Sequence, residues 1–256
     1  MPRLEGKTAL VTGATGAIGE ATARSFLSEG ANVMLVGRSA EKLDATRGRL
    51  GRTPKLGQFV ADVVDEAATA DSVAATIKAF GGVDILFASA GTNGVSKPFE
   101  QQTLGEFEAV MRPNVTGVWL AMKHAVGPMR ERGGGSMIAM SSIAGTIGFA
   151  GQAPYVASKS AVCGLVKTAA LELGTSGIRV NAINPGPIDS RMMDSLAEQM
   201  APNDPNGART EIGGMIPMKR CGTSEEVANL AVFLASDESS YCKGGLYAVD
   251  GGFTAA

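Results

Sequence analysis

The feature that most constrains the fold of this chain of 256 residues is a regular alternation of two kinds of segment. Short apolar runs that end in small or polar residues are separated by stretches in which apolar residues recur at helical spacing. Nearly unbroken apolar runs are typical of strands buried on both faces of a parallel sheet. The predicted strands are residues 8–14, 32–37, 57–62, 83–91, 135–142, 178–186 and 245–252. The predicted helices are residues 17–29, 40–50, 65–80, 103–126, 155–173 and 224–235.

This alternation predicts βαβ units in one sheet. No linker interrupts it, so we expect a single α/β domain over residues 1–256, with a seven-stranded, mostly parallel sheet and helices on both faces. Ligands bind such sheets at the carboxyl ends of the strands, near the switch in strand order. One insertion, at about 187–222, is rich in Pro, Gly and Met and has no readable periodicity. It is predicted to be an irregular lid or substrate-binding loop, or else to pack onto the core.

Composition excludes several classes of function. Lys plus Arg number 23 and Asp plus Glu number 25, for a net charge of −2, which argues against nucleic acid or an anionic membrane as the main partner. We find neither a signal peptide nor an apolar run near the roughly 18 residues of a membrane span. Cys163, Cys221 and Cys242 are too far apart for a zinc or redox motif. The sequence therefore predicts a reduced, cytoplasmic protein without a bound metal.

A glycine-rich loop follows the first predicted strand and opens the first helix. The sequence "TGATGAIG" at 12–19 places Gly13, Gly16 and Gly19 in the pattern GxxxGxG. Glycines there let the backbone approach a pyrophosphate, whose charge meets the helix N-terminus. Glycines at such turns also serve packing alone, but the strand before and the helix after favour dinucleotide binding.

The end of the second strand discriminates between cofactors. A carboxylate there holds the adenosine ribose hydroxyls of NAD, whereas an arginine accommodates the 2′-phosphate of NADP. This chain has Gly37 followed by Arg38. We therefore expect NADP, with NAD as the alternative and a solvated surface arginine as the simplest other explanation.

Tyr155 and Lys159 are four residues apart and project together if a helix starts near Pro154. A phenol has a pKa of about 10, too high for efficient proton transfer at neutral pH. An ammonium about 5 Å away, at an effective dielectric near 20, supplies roughly 3 kcal/mol and lowers that pKa by about two pH units. Burial acts in the opposite direction, and a second cation such as an oxidised nicotinamide then contributes. Ser142, at the end of the fifth strand, is placed to hydrogen-bond the same substrate oxygen.

These residues together resemble the short-chain dehydrogenase/reductase family over nearly the whole chain. The matching pieces are "TGATGAIG", "SAG" (89–91), the Asn of "RPNVTG" (114), the Ser at 142, "YVASK" (155–159), "NAINPGPIDS" (181–190) and the terminal "VDGG". The resemblance implies a Rossmann fold and hydride transfer between a nicotinamide and a secondary alcohol or ketone. It also implies homotetramers or dimers with paired long helices at the interface.

The resemblance also implies roles for individual residues. Tyr155 is expected to be the general acid or base, and Lys159 to lower its pKa and hold the nicotinamide ribose. Ser142 is expected to position the substrate oxygen, and Asn114 to hold a water through its carbonyl. Asp62 is expected to contact the adenine amino group. The expected cofactor contacts are Gly13, Thr15, Gly16, Ile18, Gly19, Arg38, Asp62, Val63, Ala90, Gly91, Tyr155, Lys159, Pro185, Gly186, Ile188 and Ser190.

Three positions depart from the family pattern. Ser89 replaces the usual Asn, which puts a contact between the central strands in doubt. Ser190 replaces the commoner Thr and keeps the hydroxyl. Pro113, just before Asn114, removes a backbone donor and is expected to kink its helix.

Five further residues are candidates for the substrate pocket. Ile143, Phe149, Gln152, Met192 and Met193 are expected to form a mainly apolar pocket with one polar handle.

Four cationic residues border the predicted lid: Arg191, Arg209, Lys219 and Arg220. They are expected either to be solvated surface charges or to contact an anionic substrate or acyl carrier. A 3-oxoacyl-[acyl-carrier-protein] reductase is therefore an alternative, and a dinucleotide-binding sensor without turnover is another.

Three further residues are expected to be structural. His124 is assigned a structural or surface role, Trp119 a place in the core or an interface, and Cys163 a packing role.

Overall fold

Seven of the apolar runs form one sheet in the computed structural model, which describes residues 2–255. Met1 and Ala256 of the predicted domain lie outside the described residues. The strands are β1 (Thr8–Thr12), β2 (Asn32–Gly37), β3 (Leu56–Val60), β4 (Ile85–Ala88), β5 (Gly135–Met140), β6 (Ile178–Pro185) and β7 (Leu246–Val249). Their order is β3-β2-β1-β4-β5-β6-β7, and every neighbouring pair is parallel. The predicted α/β class is confirmed, and the sheet is parallel throughout rather than mostly so.

Nine α-helices connect and flank these strands within the described residues. They are α1 (Ala17–Ser28), α2 (Ala40–Leu50), α3 (Glu66–Phe80), α4 (Leu104–Met111), α5 (Gly117–Glu131), α6 (Ala153–Glu172), α7 (Arg191–Met200), α8 (Pro205–Met215) and α9 (Ser224–Ala235). None of the helices described between residues 2 and 255 is long and apolar enough to cross a membrane.

Helices cover both faces of the sheet, as predicted. On one face α1, α2 and α9 pack on a core in which the rings of Phe26 and Phe87 meet edge to face, with centroids 6.2 Å apart. On the other face α3, α5 and α6 pack on a second core that contains Met129 and Val162. Burial on both faces explains why the strands read as unbroken apolar runs rather than as alternating ones.

The predicted helix over 103–126 is interrupted. Helix α4 ends at Met111, and the segment Arg112–Thr116 forms a π-helical turn before α5. Pro113 lies inside that turn. Because proline has no N–H to donate, it disturbs the regular hydrogen-bond ladder there, as the sequence predicted.

The prediction of an irregular loop over 187–222 is wrong. Two helices occupy most of it: α7, capped by the Ser190 hydroxyl, and α8, capped by the Asp204 carboxylate with Pro205 in its first turn. Both caps are ordinary helix-start signals. The glycine- and methionine-rich composition hid them, because it obscured the apolar periodicity.

Candidate active site

Helix α6 presents Tyr155 and Lys159 on one face. The helix begins at Ala153, with Pro154 in its first turn. The ammonium nitrogen of Lys159 lies 5.6 Å from the centroid of the Tyr155 ring. The same nitrogen donates a 2.8 Å hydrogen bond to the carbonyl oxygen of Met140, the last residue of β5. The two side chains therefore meet at the carboxyl end of a central strand.

Ser142 completes this group from the segment that follows β5. Its hydroxyl is hydrogen-bonded to the Tyr155 phenol and accepts a 3.2 Å hydrogen bond from the backbone N–H of Ala144. The hydroxyl also donates a hydrogen bond of 3.5 Å to the carbonyl oxygen of Pro185, so backbone groups hold the Ser142 side chain from both sides. Two hydroxyl groups thus converge on one spot, where both can bond a single substrate oxygen.

Burial controls the ionisation of this site. It raises the pKa of Tyr155 above its usual value of 10, and the hydrogen bond with Ser142 offsets only part of that rise. It also lowers the pKa of Lys159 from 10.5 to about 8. The expectation that Lys159 leaves Tyr155 unusually acidic is wrong for the protein alone. Removing a phenolate from water outweighs the attraction of an ammonium that is itself buried.

Asn114 sits in the π-helical turn and is fully buried. Its amide nitrogen donates to the carbonyl oxygen of Thr92 and to the Ser158 hydroxyl, both at 2.9 Å. Its amide oxygen accepts from the Thr92 N–H at 2.8 Å. Ser158 in turn donates to the carbonyl oxygen of Tyr155 at 2.7 Å. Asn114 thus ties the segment after β4 to the first turns of α6.

Thr92 and Ser158 were missed by the sequence reasoning. Ser158 lies inside the "YVASK" segment, but the spacing of that segment assigns it no role. Thr92 carried no signal, because its backbone rather than its side chain makes the contact with Asn114.

The glycine loop crosses the sheet edge at its switch point. Gly13 has a left-handed φ of +66°. A Cβ atom on it would lie 2.6 Å from the backbone nitrogen of Ala90, which follows β4. The loops after β1 and β4 therefore touch only because residue 13 is glycine. Ser89 adds to the junction, since its N–H donates to the Thr12 hydroxyl at 3.2 Å. That bond joins the two central strands without the usual Asn.

The space around Gly16 indicates whether the loop can bind a phosphate. Gly16 is the N-cap of α1 and has extended backbone angles. Because glycine has no side chain, no cap hydrogen bond forms there. An added Cβ atom would touch only the carbonyl oxygen of Gly13, at 3.4 Å. Internal packing therefore does not require glycine at residue 16. The open space beside the first N–H groups of α1 suits an anion that approaches the backbone closely.

Glu20 is the one acidic residue in the first turn of α1, and its negative charge is paired with arginines. Arg49 donates two hydrogen bonds to it, at 2.9 and 2.6 Å, and Arg24 adds a third at 3.3 Å. The hydrogen bond from Arg49 lowers the pKa of this carboxyl. The two arginines thus balance a carboxylate that would otherwise repel a phosphate.

The other predicted cofactor residues lie along the same edge of the sheet. Thr15 and Ile18 belong to the glycine loop and the start of α1, next to Gly19. Asp62 and Val63 follow β3, where Asp62 accepts a hydrogen bond from the Val64 N–H at 3.3 Å.

Gly91 faces the Asn114 amide, whose oxygen would lie 2.9 Å from a Cβ atom on it. Pro185 ends β6, and Gly186 donates to the Val249 carbonyl oxygen at 3.0 Å. Ile188 is buried, and Ser190 donates to its carbonyl oxygen at 3.1 Å. The Ser190 hydroxyl is therefore already used at the start of α7.

Arg38 is exposed at the end of β2 and forms no ion pair with any residue in the described part of the chain. Its neighbour Gly37 lies against the Thr15 methyl group and Leu43, each 3.4 Å from an added Cβ atom. The position predicted to discriminate NADP from NAD thus has a small residue, Gly37, next to the unpaired guanidinium of Arg38.

Most of the cations predicted to border the substrate already have partners. Arg209 pairs with Asp189 and Asp194, and Arg220 donates to both carboxylate oxygens of Glu226, at 2.9 and 2.7 Å. The Lys219 ammonium donates to the carbonyl oxygen of Gly214 at 2.7 Å. Among the four cations proposed from the sequence, Arg191 alone has no such contact within residues 2–255.

The predicted pocket residues differ in exposure. Ile143 and Met193 are buried, whereas Met192 is 40% exposed. The ring of Phe149 packs on that of Phe253, with centroids 6.1 Å apart. Gln152 is buried at the start of α6.

The residues assigned structural roles make the contacts expected of them, with one exception. The His124 ring lies 3.5 Å from the Glu66 carboxylate, and Cys163 is buried within 3.3 Å of the Ser141 hydroxyl. Trp119 is 46% exposed, with Lys123 over its ring, so the core placement is wrong and the interface remains a prediction. Over the described range, His, Cys, Asp and Glu side chains form no cluster of three suited to a metal.

Comparisons with known proteins bear on this arrangement. A family model described as enoyl-(acyl carrier protein) reductase matches residues 13–254. Levodione reductase from Leifsonia aquatica is 37% identical over 257 aligned residues, which cover 99% of this chain and 96% of that protein. The crystal structure of levodione reductase aligns with a TM-score of 0.96 at 36% identity, over 99% of this chain and all of that one. This chain belongs to the short-chain dehydrogenase/reductase family.

Other short-chain dehydrogenases/reductases are similar to a comparable degree. Glucose 1-dehydrogenase from Gluconobacter oxydans is 41% identical and covers 98% of this chain and 93% of its own length. The 3-oxoacyl-[acyl-carrier-protein] reductase FabG from Thermotoga maritima is 37% identical and covers 98% of both. The predicted family and Rossmann fold are confirmed, as is the class of oxidoreductases that act on CH–OH groups. Membership implies a nicotinamide dinucleotide without deciding between NAD and NADP.

Proposed function

We propose that this chain interconverts a secondary alcohol and a ketone with NADP(H), and that Tyr155 transfers the proton. The observation that carries the proposal is the meeting of Tyr155, Ser142 and Lys159 at the carboxyl end of β5. No other described tyrosine combines a hydroxyl partner with a buried ammonium in this way. The site lies beside the edge where parallel sheets of this kind bind nucleotides.

The raised pKa of Tyr155 makes the phenol a proton donor in the protein alone. For ketone reduction, its O–H bonds the carbonyl oxygen and passes its proton to that oxygen as charge develops there. Ser142 donates a second hydrogen bond to the same oxygen and steadies the charge. In the reverse direction the phenol oxygen accepts the proton of the alcohol.

Lys159 supports this proton transfer electrostatically. Its ammonium favours the phenolate that Tyr155 becomes after giving up its proton. With a pKa of about 8, Lys159 is mostly charged at neutral pH. Its hydrogen bond to Met140 keeps it beneath the ring rather than in solvent.

The groups that would hold the dinucleotide follow from the same geometry. Gly13, Gly16 and the N-terminus of α1 would hold the pyrophosphate, and Asp62 the adenine end. Lys159 and the segment from Pro185 to Ser190 would hold the nicotinamide end. When bound, the nicotinamide supplies or accepts the hydride.

NADP is the preferred cofactor in this proposal because of Arg38. A free, exposed guanidinium at the end of β2 matches a 2′-phosphate, whereas a carboxylate at that point would match the two ribose hydroxyls of NAD. Gly37 leaves that corner without a carboxylate.

A carrier-bound acyl substrate is the main alternative, and the FabG relative keeps it open. The ion pairs of Arg209 and Arg220 weaken it, because a carrier protein that presents acidic residues would have to break them. A sensor without turnover is the other alternative. It has no use for a buried ammonium beneath a tyrosine.

Turnover is the direct test of the proposed function. Purified protein is mixed with reduced cofactor and a panel of small ketones, and loss of reduced-nicotinamide absorbance is followed. We expect turnover with NADPH exceeding that with NADH. Tight cofactor binding without turnover on any ketone would support the sensor instead.

We also propose a homotetramer or dimer, and residence in the cytoplasm. The support for assembly is a set of exposed apolar side chains on α4, α5 and α6, namely Leu104, Phe107, Trp119 and Leu171. Light scattering coupled to size exclusion tests this, and a monomer at micromolar concentration would contradict it.

A further inference from the structure

The side-chain amide nitrogen of Gln152 is buried without a partner. The residue is only 9% exposed. Its amide nitrogen is closed off from solvent and has no hydrogen-bond partner in the part of the chain that the structure describes. The Gln152 backbone, by contrast, is satisfied through the Phe149 carbonyl oxygen and the Val156 N–H. Buried polar atoms are nearly always paired, and an unpaired donor destabilises the protein. We therefore ask which ligand would pair with it.

Gln152 lies on the face of α6 that carries the reacting hydroxyl. Gln152, Tyr155 and Lys159 follow the spacing i, i+3 and i+7, which places three side chains in one row along a helix. Lys159 and Tyr155 demonstrably meet in that row. Gln152 comes first in it, at the cap of the helix. The backbone of Gln152 is thus about one helical turn, roughly 5 Å along the axis, from that of Tyr155.

The charges around this end of α6 indicate what the amide would bind. Lys97, in the loop that hydrogen-bonds Gly151, is paired with Glu106. Lys159 has no carboxylate partner, but its ammonium lies beneath Tyr155, where the reacting oxygen is proposed to bind. A carboxylate bound at Gln152 would have no counter-ion of its own, which is costly. An uncharged oxygen suits an uncharged amide.

We propose that Gln152 binds a second, uncharged oxygen of the substrate while Tyr155 and Ser142 bind the reacting one. This inference rests on the proposed function and narrows it to ketones and alcohols that carry a further hydroxyl or carbonyl group. A hydroxyl pairs with either end of the amide, and a carbonyl accepts from its nitrogen. Phe149, whose carbonyl oxygen accepts from the Gln152 N–H, packs its ring on that of Phe253, so the side chain beside the amide is apolar.

The test compares Gln152→Met with wild type on matched substrates. Methionine keeps the length of glutamine and removes its hydrogen bonds. The substrates are cyclohexanone and the hydroxycyclohexanones with the hydroxyl at each other ring position. We expect wild type to prefer at least one hydroxyketone by about 10-fold in kcat/KM, the size of one well-placed hydrogen bond. Gln152→Met should remove that preference, so that the ratio of kcat/KM for the hydroxyketone over cyclohexanone falls to about 1. Gln101→Met, at an exposed glutamine, is the control and should leave that ratio as in wild type.

Thermal unfolding of the free proteins provides a second readout. Because Gln152→Met removes an unpaired buried donor, its Tm should equal or exceed that of wild type. A Tm lower by several degrees would show that the glutamine supports the fold, which overturns the proposal. Equal losses on cyclohexanone and the hydroxyketones, or a wild type without preference, would overturn it too. Absence of turnover on every ketone would overturn the proposed function, and this inference with it.

Discussion

The ammonium of Lys159 lies beneath the ring of Tyr155, 5.6 Å from its centroid, and is anchored by the carbonyl oxygen of Met140 rather than by a carboxylate. This arrangement leaves the positive charge available to the phenol. A carboxylate partner would have neutralised it. The cost is a buried ammonium, which shows in the lowered pKa of Lys159.

That cost makes stability depend on pH in a defined direction. The pKa of Lys159 is about 8 in the folded protein and near 10.5 when unfolded. Between these values the unfolded chain binds more protons, so the lysine's contribution to the free energy of unfolding rises with pH. We expect Lys159→Met to be more stable than wild type near pH 7, and this advantage to shrink by about 2 kcal/mol between about pH 8 and 10. Urea denaturation across that range measures it, and a constant difference would contradict the assignment.

Asn114 is predicted to be the main polar tie between the loop after β4 and helix α6. Asn114→Ala leaves the Thr92 backbone and the Ser158 hydroxyl with lost partners. At about 1–3 kcal/mol for an abandoned buried group, a loss of about 2–4 kcal/mol is expected. Urea denaturation measures the loss. Asn206→Ala, at an exposed position on α8, should stay within about 0.5 kcal/mol. Equal effects in the two variants would refute the role of Asn114.

Cofactor preference should follow the residues at the end of β2. Gly37→Asp combined with Arg38→Ile supplies a carboxylate for the ribose hydroxyls and removes the cation for the phosphate. We expect the ratio of kcat/KM for NADPH over NADH to fall by about 100-fold, which corresponds to roughly 2.7 kcal/mol. An added Cβ at residue 37 meets only ordinary contacts, so a side chain can begin there without displacing the backbone. An unchanged ratio would show that this corner does not select the cofactor.

The carrier-protein alternative makes a separate prediction about Arg191, which forms no ion pair among residues 2–255. If small ketones are the substrates, Arg191→Glu should keep kcat/KM within about 2-fold, as expected for an exposed charge. An added acyl carrier protein should not inhibit wild type. Inhibition by the carrier that is relieved in Arg191→Glu would favour the acyl-carrier reductase.

The sequence predicted the fold closely because its signals were strong and local. Helices α2 and α9 have the predicted bounds, since Ser39 and Thr223 cap them and apolar spacing marks their lengths. Helices α7 and α8 were missed, although Ser190 and Asp204 stood at their starts, because the Met and Gly content masked any periodicity. Local sequence patterns identify helices whose buried residues recur at regular spacing. They miss helices in which that spacing is irregular.

The site was predictable in its members but not in its electrostatics. Spacing alone put Tyr155 and Lys159 on one face. The pKa direction of Tyr155 depended on how deeply both groups are buried, which no short pattern contains. The same holds for Gln152, whose unpaired amide becomes visible only once the surrounding atoms are placed.

Replacing Tyr155 by phenylalanine tests the central claim most directly. The change deletes one oxygen and keeps the ring over Lys159. The account predicts that Tyr155→Phe binds NADPH within about 3-fold of wild type and loses at least about 1,000-fold in kcat with the best ketone, in the range of a general acid's contribution. A variant that binds cofactor normally and keeps a tenth or more of the rate would contradict it, because another group would then supply the proton.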